Sequence, residues 1–171
     1  MDATLAIIFA ITSLTDMALN DCKTGCLAPQ SDTARLSFQA SAVEFQSKII
    51  GSELYLGYDS TQAYGPYQIT YGAAITEDMD TWVGMGLKWT SKRIDTGPWF
   101  VETSLMPGLH FVADGPDLGG NLQFRSALGL GYEFDNGTTL LVSYDHRSNA
   151  DTQPKNPGLE TIAIRYAISW N

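Results

Sequence analysis

From Ser52 onward the chain divides into segments of about ten residues that alternate large apolar with small or polar side chains, each bounded by turn residues. Successive side chains of an extended strand point to opposite faces, so this rhythm describes antiparallel strands rather than helices. It predicts strands at 52–59, 66–76, 81–91, 97–107, 122–134, 138–148 and 159–170. An eighth lies near 34–46, with its alternation blurred around Ala42-Val43. Asn136-Gly137 is a strong hairpin signal, because both residues tolerate positive φ. There is no solenoid-period repeat, low-complexity tract or linker, and 171 residues suit one domain.

The alternation also states what each face is made of. In 122–134 one face carries Leu122, Phe124, Leu128, Leu130, Tyr132 and Phe134, and the other Gln123, Arg125, Ala127, Gly129, Gly131 and Glu133. In 159–170 Ile162, Ile164, Tyr166, Ile168 and Trp170 oppose Thr161, Ala163, Arg165, Ala167 and Ser169. A soluble sandwich or lipocalin would turn the bulky face inward. Here the second face, small and charged, suits a narrow polar lumen, and the bulky face suits lipid. The expected fold is all-β, an eight-stranded antiparallel up-and-down transmembrane β-barrel. Glu53, Glu102, Glu133, Arg125 and Arg165 then face inward and pair there. Both termini share one side, with a short turn at 135–137, and the long loops 108–121 and 149–158 lie on the other. The formal net charge of −9 argues against a nucleic-acid partner.

The first residues read differently. Leu5 to Leu14 is an apolar run with the length of a signal-peptide core, although Met1-Asp2-Ala3 supplies no basic residue before it. Residues 1–28 are therefore expected to be an export signal or N-terminal segment, with cleavage near Ala28, and 29–171 a single barrel domain. Cys22 and Cys26 are the only cysteines, too few for a structural zinc site, and receive no role.

The chemistry gathers on the last hairpin. His146 and Ser148 share one face of a strand, about 6–7 Å apart, and their parity with Leu140, Val142 and Tyr144 turns them toward lipid. Glu160 shares parity with Ile162 and Ile164. If either 148 or 146 lies opposite 160, imidazole, hydroxyl and carboxylate converge across one strand pair. Polar groups on a lipid-facing wall are costly without a purpose. Ser148 would be nucleophile, His146 base and Glu160 its orienting acid, with Asn149 donating its amide to an oxyanion. The bland alternative is that the strands simply end in the headgroup zone.

His146-x-Ser148-Asn149 followed by Asn156-Pro157-Gly158-x-Glu160 resembles the active-site hairpin of the lipid A 3-O-deacylase (PagL) family of outer-membrane enzymes. The resemblance runs back through Phe124 to Tyr132 and the Asp135-Asn136-Gly137 turn, covering roughly 122–170. It implies an eight-stranded barrel with its site on the outer wall, a triad of His146, Ser148 and Glu160, an oxyanion role for Asn149, and support from Phe124 and Asn156. It further implies a serine esterase of the Gram-negative outer membrane that removes an acyl chain from lipid A of lipopolysaccharide, at the 3-position, with no metal or cofactor. Its partners would be that lipid and the surrounding membrane, with a homodimer left open. The sequence departs from the family in placing Ala150-Asp151 where members often carry glycine after the Ser-Asn pair. The rival reading is a non-catalytic small outer-membrane barrel with a structural or adhesive role; a soluble lipid-binding barrel is a second.

Other motifs carry less. Gly129-x-Gly131 lies inside a strand and precedes no helix, so it makes room in the lumen rather than cradling phosphate. His110, expected in the long loop with Asp114 and Asp117, lacks the spacing of a calcium loop. Glu77-Asp78-Met79-Asp80 reads as an acidic turn.

Overall fold

In a computed structural model, which describes residues 3–23 and 25–170, eight strands close into a barrel. A helix, α1 (Thr4–Leu19), and a three-residue strand, β1 (Pro29–Ser31), precede it. The barrel strands are β2 (Arg35–Phe45), β3 (Lys48–Tyr64), β4 (Tyr67–Thr76), β5 (Thr81–Thr90), β6 (Trp99–Phe111), β7 (Leu122–Glu133), β8 (Thr139–Ser148) and β9 (Leu159–Ser169). Each pairs antiparallel with the next, and β2 pairs β9 to close the cylinder. Closure leaves no barrel strand without two neighbours, the condition for a sheet to cross a bilayer.

Every sequence-expected strand is present, with two differences in length. β3 runs from Lys48 to Tyr64 rather than 52–59, because its start pairs with Phe45 and its end gains β1 at Gln62–Tyr64. β6 continues to Phe111 instead of stopping at 107. His110 is therefore a strand residue opposite Trp82, and the following loop is 112–121 rather than 108–121.

One rim carries the start of β2 and the end of β9, the turns 65–66 and 134–138 and the segment 91–98; the other carries 46–47, 77–80 and the long loops 112–121 and 149–158. The two are called here the terminal rim and the loop rim. Bulky apolar residues face outward: Leu54, Leu130, Val142 and Ile164 are all more than half exposed. A belt of that kind fits lipid rather than water. At the terminal rim Trp99, Tyr132 and Phe134 meet edge to face at 5.1 and 5.2 Å, as interfacial anchors do.

Inward positions build a ladder of ion pairs. At the terminal rim Arg35 and Lys92 hold Glu133. Deeper, Lys88 bridges Asp59 and Glu102, and Arg165 bonds Glu102 at 2.7 Å and Gln39 at 2.9 Å. Gln39, Thr161 and Arg125 all donate to Asp145, while Arg147 bonds Glu53 at 2.9 Å. Tyr55 lies between Arg125 and Arg165, whose guanidinium carbons stand 4.5 and 5.7 Å from the ring centroid. The five inward charges expected from sequence are all in this ladder. Glycine makes it fit: a Cβ on Gly72 would come within 2.1 Å of the Tyr55 hydroxyl, and one on Gly131 within 2.3 Å of the Phe100 ring. The lumen cavity between Asp59, Lys88 and Arg165 measures about 230 Å³, room for several waters but too polar and small for a lipid.

Helix α1 lies outside the cylinder against β5, β6 and β7. Asp16 accepts from the Trp89 indole at 2.8 Å, and Thr12 meets Thr103 at 3.3 Å. Cys22 and Cys26, left without a role by the sequence, form a disulfide just beyond the helix. None of these contacts contributes to barrel closure.

Breaking one lumen pair leaves a buried charge alone, which costs more than the pair contributes. Arg125→Met should lower unfolding stability in lipid vesicles by about 3–5 kcal/mol, and adding Asp145→Leu should restore most of it. Urea titrations of wild type, single and double variants read this directly.

Candidate active site

The β8–β9 register decides between the two alignments left open by the sequence. His146 lies opposite Glu160, and its Nδ1 stands 2.9 Å from Glu160 Oε1. With a carboxylate as acceptor, Nδ1 carries the proton and donates, leaving Nε2 with its lone pair. That Nε2 is buried and has no hydrogen-bond partner. Ser148 is two residues along the same outward face, opposite Phe124 on β7, and is itself buried. The imidazole–carboxylate arm is thus formed, and no hydrogen bond joins the hydroxyl to the ring. Such bonds often close only around substrate.

Gly158 brings β9 into place behind the imidazole. It sits at φ +74°, and an added Cβ would lie 3.0 Å from His146 Cε1 and 3.4 Å from Glu160 Oε1. Only glycine takes this backbone without strain and lets the ring seat against the carboxylate. Ser126, not singled out from sequence, faces His146 across β7–β8, and Phe124 forms the apolar flank beside Ser148. Period-two parity could have found Ser126.

Asn149 corrects the sequence expectation. Its side-chain amide donates to the carbonyls of Lys155 at 2.6 Å, Leu118 at 3.1 Å and Gly119 at 3.4 Å. Its backbone N–H is taken by Asn156 Oδ1 at 3.0 Å. Neither donor is free for an oxyanion. Parity is the reason: 149 points to the opposite face from 148, into the barrel mouth. There it clasps loop 112–121, whose Leu118 is fully buried against Val43 and Leu159. Asn156 thereby holds the backbone of the residue after Ser148.

The turn that follows is left-handed at both Ala150 (φ 54°) and Asp151 (φ 57°), conformations that L-residues adopt at a cost of about 1–2 kcal/mol each. No described acceptor takes the N–H of either residue.

His110 and the acidic turn 77–80 are structural. His110 is buried in the lumen with Nε2 3.8 Å from Asp80, not in a loop, and Asp80 accepts from the N–H groups of Ala113 and Gly115. No metal-binding cluster of His, Cys, Asp and Glu occurs among the described residues.

Comparisons with known proteins bear on the barrel and its family. The family model described as lipid A 3-O-deacylase (PagL) matches residues 32–169. The crystal structure of the outer membrane enzyme PagL is similar, with a TM-score of 0.63 and 20% identity, covering 80% of this chain and 99% of that one. Neisserial surface protein A (NspA) is similar at a TM-score of 0.54 and 9% identity, covering 84% and 99%. A de novo designed transmembrane β-barrel aligns at 0.53 and 16%, covering 82% and 98%. No curated protein matches the chain.

If Asn149 is a clasp, its removal should loosen a loop and leave the barrel intact. Asn149→Ala should raise hydrogen exchange across 112–121 by about tenfold or more, the loss of roughly 1–3 kcal/mol of bonding. Exchange in β2–β9 should not change.

Proposed function

We propose that this chain, which belongs to the lipid A 3-O-deacylase (PagL) family, is a serine esterase that releases the 3-linked acyl chain of lipid A through His146, Ser148 and Glu160. The family is one of lipid A deacylases, and the protein is an outer-membrane β-barrel. One observation carries the assignment: a buried imidazole whose Nδ1 is held by Glu160 at 2.9 Å and whose Nε2, without a partner, shares the outward face with Ser148. An unsatisfied buried nitrogen calls for an explanation, and a general base awaiting its hydroxyl is one.

The chemistry then runs in two halves. Ser148 Oγ adds to the ester carbonyl carbon while His146 Nε2 takes the hydroxyl proton, and the imidazolium is stabilised by Glu160. Collapse expels the sugar oxygen, which receives that proton from His146. Water, deprotonated by the same nitrogen, then releases the fatty acid and regenerates Ser148. With both Asn149 donors engaged, the backbone N–H groups of Ala150 and Asp151 are the proposed oxyanion donors, aimed by the left-handed turn. The loop rim would face the outer leaflet, so that acyl chains lie along the apolar wall beside Phe124 while the ester meets Ser148 at headgroup depth.

The division at residue 28 is part of the same proposal. The apolar run within α1 would serve export and leave with Cys22 and Cys26, and 29–171 would fold as the barrel. Intact mass of protein extracted from outer membranes should correspond to a chain beginning near residue 29. A mass that includes α1 would reject this division.

Ser148→Ala and His146→Ala should each reduce release of hydroxyacyl chains from lipid A, followed by mass spectrometry, by about a thousandfold or more. Heat-modifiable gel mobility should show the variants folded. Wild type that is folded yet releases nothing would favour the inert-barrel reading.

A further inference from the structure

The outward face of β7 reads Leu122, Phe124, Ser126, Leu128, Leu130 and Tyr132. Ser126 alone brings no apolar surface to that row. Its neighbours across the sheet are Leu105 on β6 and His146 on β8. A hydroxyl on a wall that faces hydrocarbon costs free energy unless it has a partner. Ser126 Oγ donates to the His146 carbonyl at 3.5 Å, near the limit at which such a contact counts as a bond. Its lone pairs take no hydrogen bond from any described residue, so the hydroxyl keeps its acceptor capacity.

Depth along the wall decides what can reach it. Phe124 and Ser148 oppose each other nearest the loop rim, and Ser126 and His146 lie one step deeper, about 6–7 Å along the strands. The sugar, and the water that later takes its place, come from the rim. An acyl chain held at Ser148 runs the other way, into hydrocarbon, and its first carbons pass over Ser126. Diagonal neighbours on an antiparallel pair stand about 7–8 Å apart, and less at Cβ. With the carbonyl carbon at Ser148 Oγ, a polar group on the β-carbon of the chain therefore comes within bonding reach of Ser126 Oγ. Ser126 is 4% exposed and Ser148 6%. Phe124 flanks both, so a chain that displaces its ring uncovers the two hydroxyls together.

We propose that Ser126 is a specificity-determining residue whose hydroxyl accepts a hydrogen bond from a hydroxyl on the β-carbon of the acyl chain. The site then favours β-hydroxyacyl esters over unsubstituted ones. The inference rests on the esterase reading and adds to it the residue that reads the chain. Leu128, the next outward residue, returns the path to apolar contact, so a single polar position meets the chain at a single depth. A site hydroxyl set against a methylene loses its partner, and that loss is the basis of discrimination.

Detergent-refolded protein tests this with p-nitrophenyl esters of tetradecanoic, β-hydroxytetradecanoic and β-methoxytetradecanoic acid, each rate divided by that ester's hydrolysis in hydroxide. Wild-type kcat/KM should be about three- to tenfold higher on the β-hydroxy ester than on the plain one. The β-methoxy ester, which has no proton to donate, should do no better than the plain one. Ser126→Ala should bring the β-hydroxy to plain ratio close to one, and Ser126→Thr, which keeps the hydroxyl, should retain the preference. The ratio is the readout, so a general loss of activity in a variant does not imitate the effect. If Ser126→Ala does not fold, the comparison of β-hydroxy with β-methoxy ester on wild type still decides. Equal rates on those two esters, or a ratio unmoved by Ser126→Ala, overturns the proposal. If Ser148→Ala abolishes hydrolysis of all three esters while wild type shows no preference, the inference about Ser126 falls alone. If folded wild type hydrolyses none of them in a Ser148-dependent way, the esterase reading falls and takes this one with it.

Discussion

Closure of the hydrogen-bonded cylinder is the constraint from which everything else in this protein follows. A sheet in lipid has no water to satisfy an open edge, so β2 must find β9. Once it does, half of all strand residues are sent into a narrow lumen, where Tyr55 and Phe100 fit only beside glycine, and the other half into hydrocarbon. Alternation is then a requirement of the solvent on each side. The lumen answers with glycine, alanine and paired charges, including the Asp145 hub that receives Arg125, Gln39 and Thr161. A buried pair in such a place gives little net stability but strongly resists being broken. The ladder therefore does more to fix register than to hold the barrel together.

Register in turn makes the site. A slip of one residue between β8 and β9 would send Glu160 to the lumen and leave His146 unpaired on the wall. The observed pairing keeps His146 opposite Glu160, and the inward partners Asp145 and Thr161, one position away, bond to each other across the same strands at 3.2 Å. A lumen contact and a wall contact thus enforce the same alignment from opposite sides. Gly158 completes it by letting the chain enter β9 close to the imidazole.

How much of this could be read in advance follows the same logic. Period-two alternation is a local signal, and it located the strands, the inward charges and the shared outward face of His146, Ser148 and Glu160. What it left open was pairing, which is non-local: whether 146 or 148 opposes 160 depends on a turn of irregular backbone. Strand length was legible only where both neighbours end together; β6 runs on through His110 because β5 continues opposite it. Asn149 is the instructive error. A motif placed it at the oxyanion, although its parity, plain in the sequence, pointed it away from Ser148.

The engagement of Asn149 sets what the turn after Ser148 must do. With the Asn149 amide clasping Leu118, Gly119 and Lys155, the two long loops and the nucleophile become one unit tied at a single residue. The backbone beyond it must then turn sharply away from the barrel mouth. Ala150 and Asp151 do so in a conformation that disfavours both. A glycine would relax the strain, but it would also give the turn freedom to carry its N–H groups elsewhere. Strain imposed by a fixed neighbour is a way of aiming donors that have no side chain to hold them. The carboxylate of Asp151 travels with that turn and accepts from the Asn156 amide at 2.8 Å, so Asn156 holds the turn at residue 151 as well as at the N–H of Asn149.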